Sequence, residues 1–201
     1  MSVGIFGGAF DPPHAGHVEL ARRGIEHFAL DRLLVRVVEH PGHKPVATAP
    51  ETRLRLARLA FASLPGAEIE LDPFARTVDS LEALALIDPV FLVGADEFAA
   101  LPTWKEPDRV LDLARLGVAT RPGIDDRRVE AVLTTLARPE RVSFFPIEPL
   151  PVSSSEIRAR AAAGEPIDAF VPPEVAREIS RLGLYRPVET GGAGGMLGRD
   201  G

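Results

Sequence analysis

The sequence contains no cysteine and no long hydrophobic run. The lack of cysteine excludes disulfide bonds, thiolate nucleophiles and thiolate metal sites. No apolar stretch approaches the roughly 20 residues that a membrane-spanning helix requires. The first ten residues, MSVGIFGGAF, also lack the basic residue and the long apolar segment of a secretory signal. We therefore expect a cytoplasmic protein with no membrane partner.

Positively charged residues are outnumbered: the sequence has 23 lysine and arginine residues and 29 aspartate and glutamate residues, which gives a net charge of −6. Proteins that bind nucleic acid are usually basic and interleave aromatic residues with lysines, which this chain does not. We therefore expect no nucleic-acid partner. An acidic protein can still bind a small anion, because nearby side chains and backbone amides set the potential inside a pocket.

The length of 201 residues, with 45% hydrophobic and 26% charged residues, is typical of one globular domain. Residues 187–201 contain six of the 18 glycines and predict a flexible tail. The predicted domain therefore covers residues 1–186. Its oligomeric state is left open, and a homo-oligomer is compatible with the sequence.

Short apolar runs alternate with segments whose hydrophobic residues recur at helical spacing. This alternation predicts an α/β fold with a doubly wound, open parallel sheet and a small C-terminal helical part. Such sheets bind ligands at the carboxyl ends of their strands, near the switch point of the topology. The predicted strands are 2–6, 33–38, 67–71, 90–94, 116–120 and 141–145. The predicted helices are 15–28, 54–64, 78–87, 154–163 and 173–182, with a loop at 39–50.

The segment GGAFDPPHAGH, residues 7–17, follows the first strand and opens the first helix. Gly7 and Gly8 allow a ligand to approach the backbone closely. His14 and His17 lie three residues apart at a helix start, where free N–H groups and the helix dipole favour a phosphate. The same pair could ligate a metal, but the pattern is not His-Glu-x-x-His and no cysteine completes a site. We predict a phosphate site and no protein metal site.

Two common nucleotide-binding motifs are missing. The sequence contains neither the G-x-G-x-x-G of dinucleotide-binding folds nor the G-x-x-x-x-G-K-[ST] of P-loop proteins. Their absence argues against a dinucleotide-dependent oxidoreductase and against a P-loop kinase.

A second segment, VSSSEIR at 152–158, follows two prolines and opens another helix. A serine before Glu156 is typical of a helix N-cap. That interpretation explains one serine, but not three serines followed by Arg158. Hydroxyls, free N–H groups and a guanidinium at a helix start also make a second anion site. Both interpretations remain open at this point.

Together these two segments resemble the HxGH and ISSTxIR signatures of a nucleotidyltransferase superfamily with a Rossmann-like fold. Within it, the chain resembles the bacterial nicotinate-nucleotide adenylyltransferases from residue 3 to residue 186. The two phosphate motifs are specific for the superfamily, and weaker matches between them select the nicotinate branch. Those and the closing match are PGHK at 41–44, ARTVDSL at 75–81, GAD at 94–96 with Trp104, RPG at 121–123 and GLYR at 183–186.

The resemblance implies transfer of AMP from ATP to nicotinate mononucleotide in NAD biosynthesis, with Mg²⁺ shielding the pyrophosphate that leaves. It implies that His14, His17 and Arg158 are catalytic. Both histidines would contact the ATP phosphates, and His17 would also stabilise the transition state. Arg158 and the helix start at Ser154 and Ser155 would hold the triphosphate. The implied ATP site also includes Gly7, Gly8, Ala9 and Phe10.

Three further residues are expected on the nucleotide side. Gly94 and Asp96 come just after an apolar strand, where a carboxylate can accept hydrogen bonds from ribose hydroxyls. Asp96 could instead be a helix N-cap. Arg121 would close the adenine or phosphate side, and its alternative is a solvated loop cation.

Four residues are expected to bind the acceptor. Lys44, with His43, would meet phosphate from the loop after the second strand. Trp104 would stack on the pyridine ring, while backbone amides near Thr77 and Trp104 would bind the carboxylate. As the only tryptophan, Trp104 could equally be a core residue.

The sequence departs from the family pattern at four places, one of which is a short segment between Leu81 and Val90. Ala9 replaces a threonine and removes one hydroxyl contact to the nucleotide. Residues 37–40, VVEH, replace a Pro-Asn start, and Glu39 adds negative charge near a phosphate path. Arg76 replaces a tyrosine, so it either adds a cation near the acceptor or points to water. These departures preserve nucleotidyl transfer but leave the acceptor open.

Three alternative functions remain. The same chemistry could serve another acceptor, such as nicotinamide mononucleotide, phosphopantetheine or a small phosphorylated compound. The fold could also be a non-catalytic nucleotide-binding module, although His14, His17 and Arg158 are all present. A nucleic-acid binder is the third, and the negative net charge argues against it.

Overall fold

A computed structural model describes residues 1–42, 46–121 and 126–186. The predicted α/β class is confirmed, because six parallel strands form one sheet between two layers of helices. The strands are β1 (Val3–Gly8), β2 (Arg32–Val38), β3 (Ala67–Asp72), β4 (Val90–Gly94), β5 (Arg115–Thr120) and β6 (Val142–Pro146). The helices are α1 (Ala15–Phe28), α2 (Pro50–Phe61), α3 (Thr77–Leu84), α4 (Ala95–Ala99), α5 (Pro107–Leu113), α6 (Asp126–Leu133), α7 (Ser154–Ala162) and α8 (Pro173–Leu182).

The strand order is β3-β2-β1-β4-β5-β6, which is the doubly wound arrangement. The chain runs from β1 outward to β3 and then returns to β4, so the switch point lies between β1 and β4. These two strands pair only where Gly4 meets Val90 and Ile5 meets Phe91. A crevice is therefore expected outside the carboxyl ends of β1 and β4.

Each face of the sheet carries its own hydrophobic core. Strand β1 contributes to both, since Ile5 belongs to one cluster and Phe6 to the other, and both side chains are buried. A strand buried on both faces reads as a continuous apolar run, as this one does. The C-terminal helices join the Phe6 side, where Ile157 of α7 and Ile179 of α8 are buried. The small C-terminal helical part thus packs into the same core as β1.

Three helices between β4 and β6, namely α4, α5 and α6, were not predicted. They contain five to eight residues, too few for hydrophobic periodicity to be decisive. Two helices also differ from prediction at their ends. Helix α2 begins at Pro50 rather than 54 and ends at Phe61, because proline is favoured in the first turn of a helix. Helix α3 ends at Leu84, before Ala85 adopts a left-handed conformation with φ of 49°.

The predicted tail at 187–201 lies outside the described residues, as do Pro122 and Gly123 of the RPG segment. In the part of the chain that the structure describes, no helix is both long enough and apolar enough to cross a bilayer.

Candidate active site

A cavity of about 700 Å³ opens where β1 and β4 end. Every predicted site residue within the described ranges lies on its wall. Side chains separated by about 150 positions therefore share one space. The predicted phosphate contacts His43 and Lys44 lie outside the described residues. The residues on the wall are Gly7, Gly8, Ala9, Phe10, His14, His17, Thr77, Gly94, Asp96, Trp104, Arg121, Ser154, Ser155 and Arg158.

The turn after β1 is shaped by Phe10. Its backbone has a φ of 50°, and its ring is buried against Phe6 and Phe61 at centroid distances of 5.4 and 5.5 Å. A Cβ atom on Gly8 would lie 2.9 Å from this ring. Glycine at position 8 therefore makes room for Phe10 as well as for a ligand. Because Phe10 is only 2% exposed, a ligand can contact very little of this residue.

His14 and His17 stack at the start of α1. Their ring centroids are 3.7 Å apart, and the two planes differ by 28°. The backbone N–H of His14 donates to Nδ1 of His17 over 3.2 Å, so a neutral His17 carries its proton on Nε2. A Cβ atom on Gly16 would lie 3.1 Å from Nδ1 of His14. The glycine of the motif thus lets the His14 ring lie against the helix.

Burial lowers the pKa of His14 to about 4. The side chain is therefore neutral at pH 7 and acts through hydrogen bonds rather than through a positive charge. Its Nδ1 atom is buried without a hydrogen-bond partner among the described residues. Among the described residues on the cavity wall, the permanent cations are arginines.

This buried histidine makes stability depend on pH. The unfolded chain protonates it below about pH 6.5, whereas the folded chain does so only near pH 4. Falling pH therefore favours the unfolded state. We expect wild type to lose about 3 kcal/mol more stability than His14→Asn across this interval. Urea unfolding at a series of pH values measures the difference, and parallel stability curves for the two proteins would contradict it.

The second motif docks directly on the first. Ser153 caps α7 by accepting the Glu156 N–H over 3.1 Å, as the N-cap interpretation predicts. The other two serines have different partners. The Ser154 hydroxyl donates to the carbonyl of Pro12 over 2.8 Å. The Ser155 hydroxyl accepts from Nη2 of Arg158 over 3.2 Å.

Arg158 completes this junction. Its Nη1 donates to the backbone carbonyl of Asp11 over 2.7 Å. The guanidinium is thereby held beside the loop that leads to His14. Two segments that each favour an anion form one continuous surface, with an arginine at their boundary.

Three further polar residues, Asp11, Thr48 and Tyr185, hold the first loop in place, and none of them was predicted as a site residue. The carboxylate of Asp11 is buried and accepts the Tyr185 hydroxyl over 2.8 Å. Thr48 donates to the same hydroxyl over 3.3 Å, and burial raises the pKa of Tyr185. In the sequence, the GLYR segment is marked only by the family resemblance. Its tyrosine in fact ties the end of the described chain to the site.

Arg53 is the largest of the fully buried side chains, and the sequence did not predict its structural role. It is fully buried on α2 and donates four hydrogen bonds to backbone carbonyls at 2.7 to 3.1 Å. Those carbonyls belong to the turn after β1, the end of β2 and the segment before α2. Helical periodicity places residue 53 on the inner face of α2, but an arginine there reads as exposed. Its acceptors are Ala9, Val38, Glu39 and Thr48.

On the β4 side, Gly94 is the N-cap of α4 and Asp96 lies in its first turn. The alternative interpretation of Asp96 as the cap is therefore wrong. Its side chain is 87% exposed and lies 3.5 Å from Nη2 of Arg121. A loose, solvated pair of this kind leaves both groups able to meet a ligand.

Trp104 follows a 3₁₀ turn at Leu101–Thr103. Its ring packs edge-on against Phe91 at 6.2 Å, and the side chain is only partly buried. The two alternatives are thus compatible, since the ring touches the core and also lines the cavity. The backbone N–H of Trp104 donates to the Leu101 carbonyl over 3.0 Å, so it is already engaged. Thr77 is the first residue of α3.

The chain matches a family model described as cytidylyltransferase-like over residues 5–160. Solved structures agree with the fold. Two structures of the nicotinic acid mononucleotide adenylyltransferase of Plasmodium falciparum, in complex with APC and with NaAD, give TM-scores of 0.72 and 0.74. They are 17% and 19% identical to this chain and cover 92% of it. The fold and the family model define a cytidylyltransferase-like protein.

Curated relatives give a narrower result. A probable nicotinate-nucleotide adenylyltransferase of Bordetella avium is 34% identical, covering 92% of this chain and 98% of the relative. One from Thermomicrobium roseum is 39% identical, covering 93% and 92% respectively. One from Thermus thermophilus is 36% identical, covering 92% and 100%. The chain belongs to the nicotinate-nucleotide adenylyltransferase family, which confirms the predicted resemblance.

Proposed function

We propose that this protein transfers AMP from ATP to nicotinate mononucleotide, forming nicotinate adenine dinucleotide and pyrophosphate in NAD biosynthesis. The observation that carries the proposal is the junction of the two anion-binding motifs through Arg158, on the wall of a cavity that also contains Trp104 and Thr77. The curated relatives, which are named probable nicotinate-nucleotide adenylyltransferases, support it.

The reaction requires little acid–base chemistry. A phosphate oxygen of the acceptor attacks the α-phosphorus of ATP, and the bond from that phosphorus to the bridging oxygen of the pyrophosphate breaks. The attacking oxygen is already anionic, so no strong base is needed. Catalysis can rest on holding the reactants in line and on stabilising negative charge as it develops.

On the nucleotide side, we assign His17 to the transition state through its Nε2–H group, whose position follows from the hydrogen bond at Nδ1. We keep His14 as a second contact to the ATP phosphates, made by a neutral ring that also stacks on His17. Arg158, with the first turn of α7 at Ser154 and Ser155, would hold the triphosphate.

The remaining proposed contacts complete the binding sites for ATP and for the acceptor nucleotide. We assign the backbone of Gly7, Gly8, Ala9 and Phe10 to ATP. Gly94 and Asp96 would meet the ribose, and Arg121 would meet the adenine or phosphate side. On the acceptor side, Trp104 would stack on the pyridine ring and the start of α3 at Thr77 would bind the carboxylate. His43 and Lys44 remain proposed phosphate contacts outside the described residues.

Mg²⁺ is proposed as part of the Mg²⁺–ATP substrate. The described residues contain no group of three or more histidine, cysteine, aspartate or glutamate side chains that could hold a metal. The two acids nearest to the motif histidines in sequence are both engaged. Glu19 pairs with Arg22, and the Asp11 carboxylate accepts the Tyr185 hydroxyl and the Ala47 N–H. Phosphate oxygens of ATP would therefore be the main ligands. Bound there, the ion would supply positive charge that offsets the negative charge on the departing pyrophosphate.

Pyrophosphate release with Mg²⁺–ATP tests the proposal. Nicotinate mononucleotide, nicotinamide mononucleotide and phosphopantetheine are compared as acceptors under identical conditions. We expect nicotinate mononucleotide to give the highest kcat/KM. A preference for another acceptor would keep the nucleotidyl transfer and overturn the proposed substrate. No release with any of the three, despite measurable ATP binding, would overturn the proposal altogether.

A further inference from the structure

The start of α3 presents a positive charge to the cavity. Arg76 is the residue before the helix, its side chain is exposed, and it lines the cavity beside Thr77. The family resemblance places a tyrosine at this position. The charge is therefore a departure of this chain from the pattern that it otherwise follows.

The acidic side chains around α3 already have partners. Asp79 lies 2.7 Å from Lys105, and Glu82 lies 3.0 Å from Arg109. Within the described ranges, Arg76 makes no ion pair or side-chain hydrogen bond. It is a cation at a cavity without a neighbouring carboxylate to neutralise it.

Asp72 also lines the cavity, but it is engaged elsewhere. Its carboxylate accepts the Ser80 hydroxyl over 2.6 Å and the Phe74 N–H over 3.1 Å. It also lies 3.5 Å from Nη2 of Arg36. The Arg36 side chain is nine-tenths buried, and its Nε has no acceptor among the described residues. The Nη1 of Arg36 also donates to Glu70 over 2.9 Å, so this buried guanidinium serves both carboxylates. Asp72 forms no ion pair with Arg76, which leaves Arg76 available to an anion.

The same end of α3 supplies backbone donors. The first N–H groups of a helix have no partner within the helix. In α3 these belong to Thr77 and the two residues after it, because the Ser80 N–H already donates to the Arg76 carbonyl. The amide of Trp104 cannot assist, because it already donates to Leu101. An anion at the start of α3 would therefore meet the Thr77 amide and the Arg76 guanidinium together.

We propose that Arg76 determines acceptor specificity by pairing with the ring carboxylate of nicotinate mononucleotide. The inference rests on the proposed function. A carboxamide at the same place carries no negative charge, so it gains little from a guanidinium. We choose the ring carboxylate over the acceptor phosphate because Arg76 adjoins Thr77, whereas the acceptor phosphate must reach the α-phosphorus of ATP, which is assigned to His17.

The test compares Arg76→Gln and Arg76→Lys with wild type, using nicotinate and nicotinamide mononucleotides at saturating Mg²⁺–ATP. We expect Arg76→Gln to lower kcat/KM about tenfold for nicotinate mononucleotide and less than about twofold for nicotinamide mononucleotide. Arg76→Lys should retain most of the preference. Arg109→Gln is the matched control, because it removes one exposed arginine beside α3 that does not line the cavity.

Three results would overturn the inference. Equal losses with both acceptors would place Arg76 on the phosphate that they share. Unchanged values with both would mean that Arg76 points to water. An identical change in kcat/KM for Arg109→Gln would show that the effect comes from the lower net charge and not from a contact of Arg76. In all three cases wild type still uses nicotinate mononucleotide, whereas wild type that uses neither pyridine nucleotide overturns the proposed function itself.

Discussion

Replacing His17 with alanine should lower kcat about 100- to 1,000-fold while changing the Kd for ATP only a few-fold. His17 is expected to act on charge that develops in the transition state, so its loss should appear in turnover rather than in ground-state binding. Its Nδ1 is occupied by the His14 N–H, which directs the single proton of the neutral ring to Nε2. An enzyme and a non-catalytic nucleotide-binding module are separated by this result, since a module has no turnover to lose.

Two further variants keep this result interpretable. His17→Asn retains a side-chain acceptor for the His14 N–H, so it separates lost chemistry from a disturbed helix start. His27→Ala removes an exposed histidine from the last turn of α1, away from the cavity. Pyrophosphate release measures kcat, and calorimetry measures the Kd. A loss of ATP affinity as large as the loss of turnover would contradict the transition-state role.

Arg53→Met should destabilise the folded protein by about 4 kcal/mol. The guanidinium is fully buried and donates to four backbone carbonyls, which would all lose their donor. Burial lowers the pKa of Arg53, which reflects the cost of holding a charge there. The four hydrogen bonds offset that cost, and a methionine of similar length cannot provide them.

Arg58→Met is the matched control, because Arg58 is exposed on the same helix and its loss should cost less than about 0.5 kcal/mol. Urea unfolding at pH 7 measures both variants. Since one acceptor is the Ala9 carbonyl, Arg53→Met should also lower activity at temperatures where it remains folded. Equal stability of the two variants would show that the buried arginine is not required for stability.

Much of the fold could be predicted because its signals are local. Strand β4 at Val90–Gly94 was predicted to the residue, as was α1 at Ala15–Phe28. The apolar run of β4 ends at a glycine, and hydrophobic residues recur at helical spacing along the 14 residues of α1. Each signal lies within a single segment of the sequence. Helices α4, α5 and α6 were missed because five to eight residues carry no comparable period.

The site divides in the same way. The two histidines and the serines before Arg158 could be found because glycine loops and helix starts carry their own signature. The hydrogen bonds that join them could not, because Ser154 and Pro12 lie 142 positions apart. The partner of Tyr185 is 174 positions away, so only the closing match of the family pointed to it.

The sequence by itself determined the α/β class, the two anion-binding motifs and the family, because each depends on residue types at short, fixed spacings. Only the tertiary structure decided which of these groups are charged, buried or free to bind. His14 becomes neutral through burial, Arg53 becomes a structural donor, and Arg76 lines the cavity. The physical reason is that solvation and pairing depend on neighbours in space, which in this fold come from strands and helices far apart in the chain.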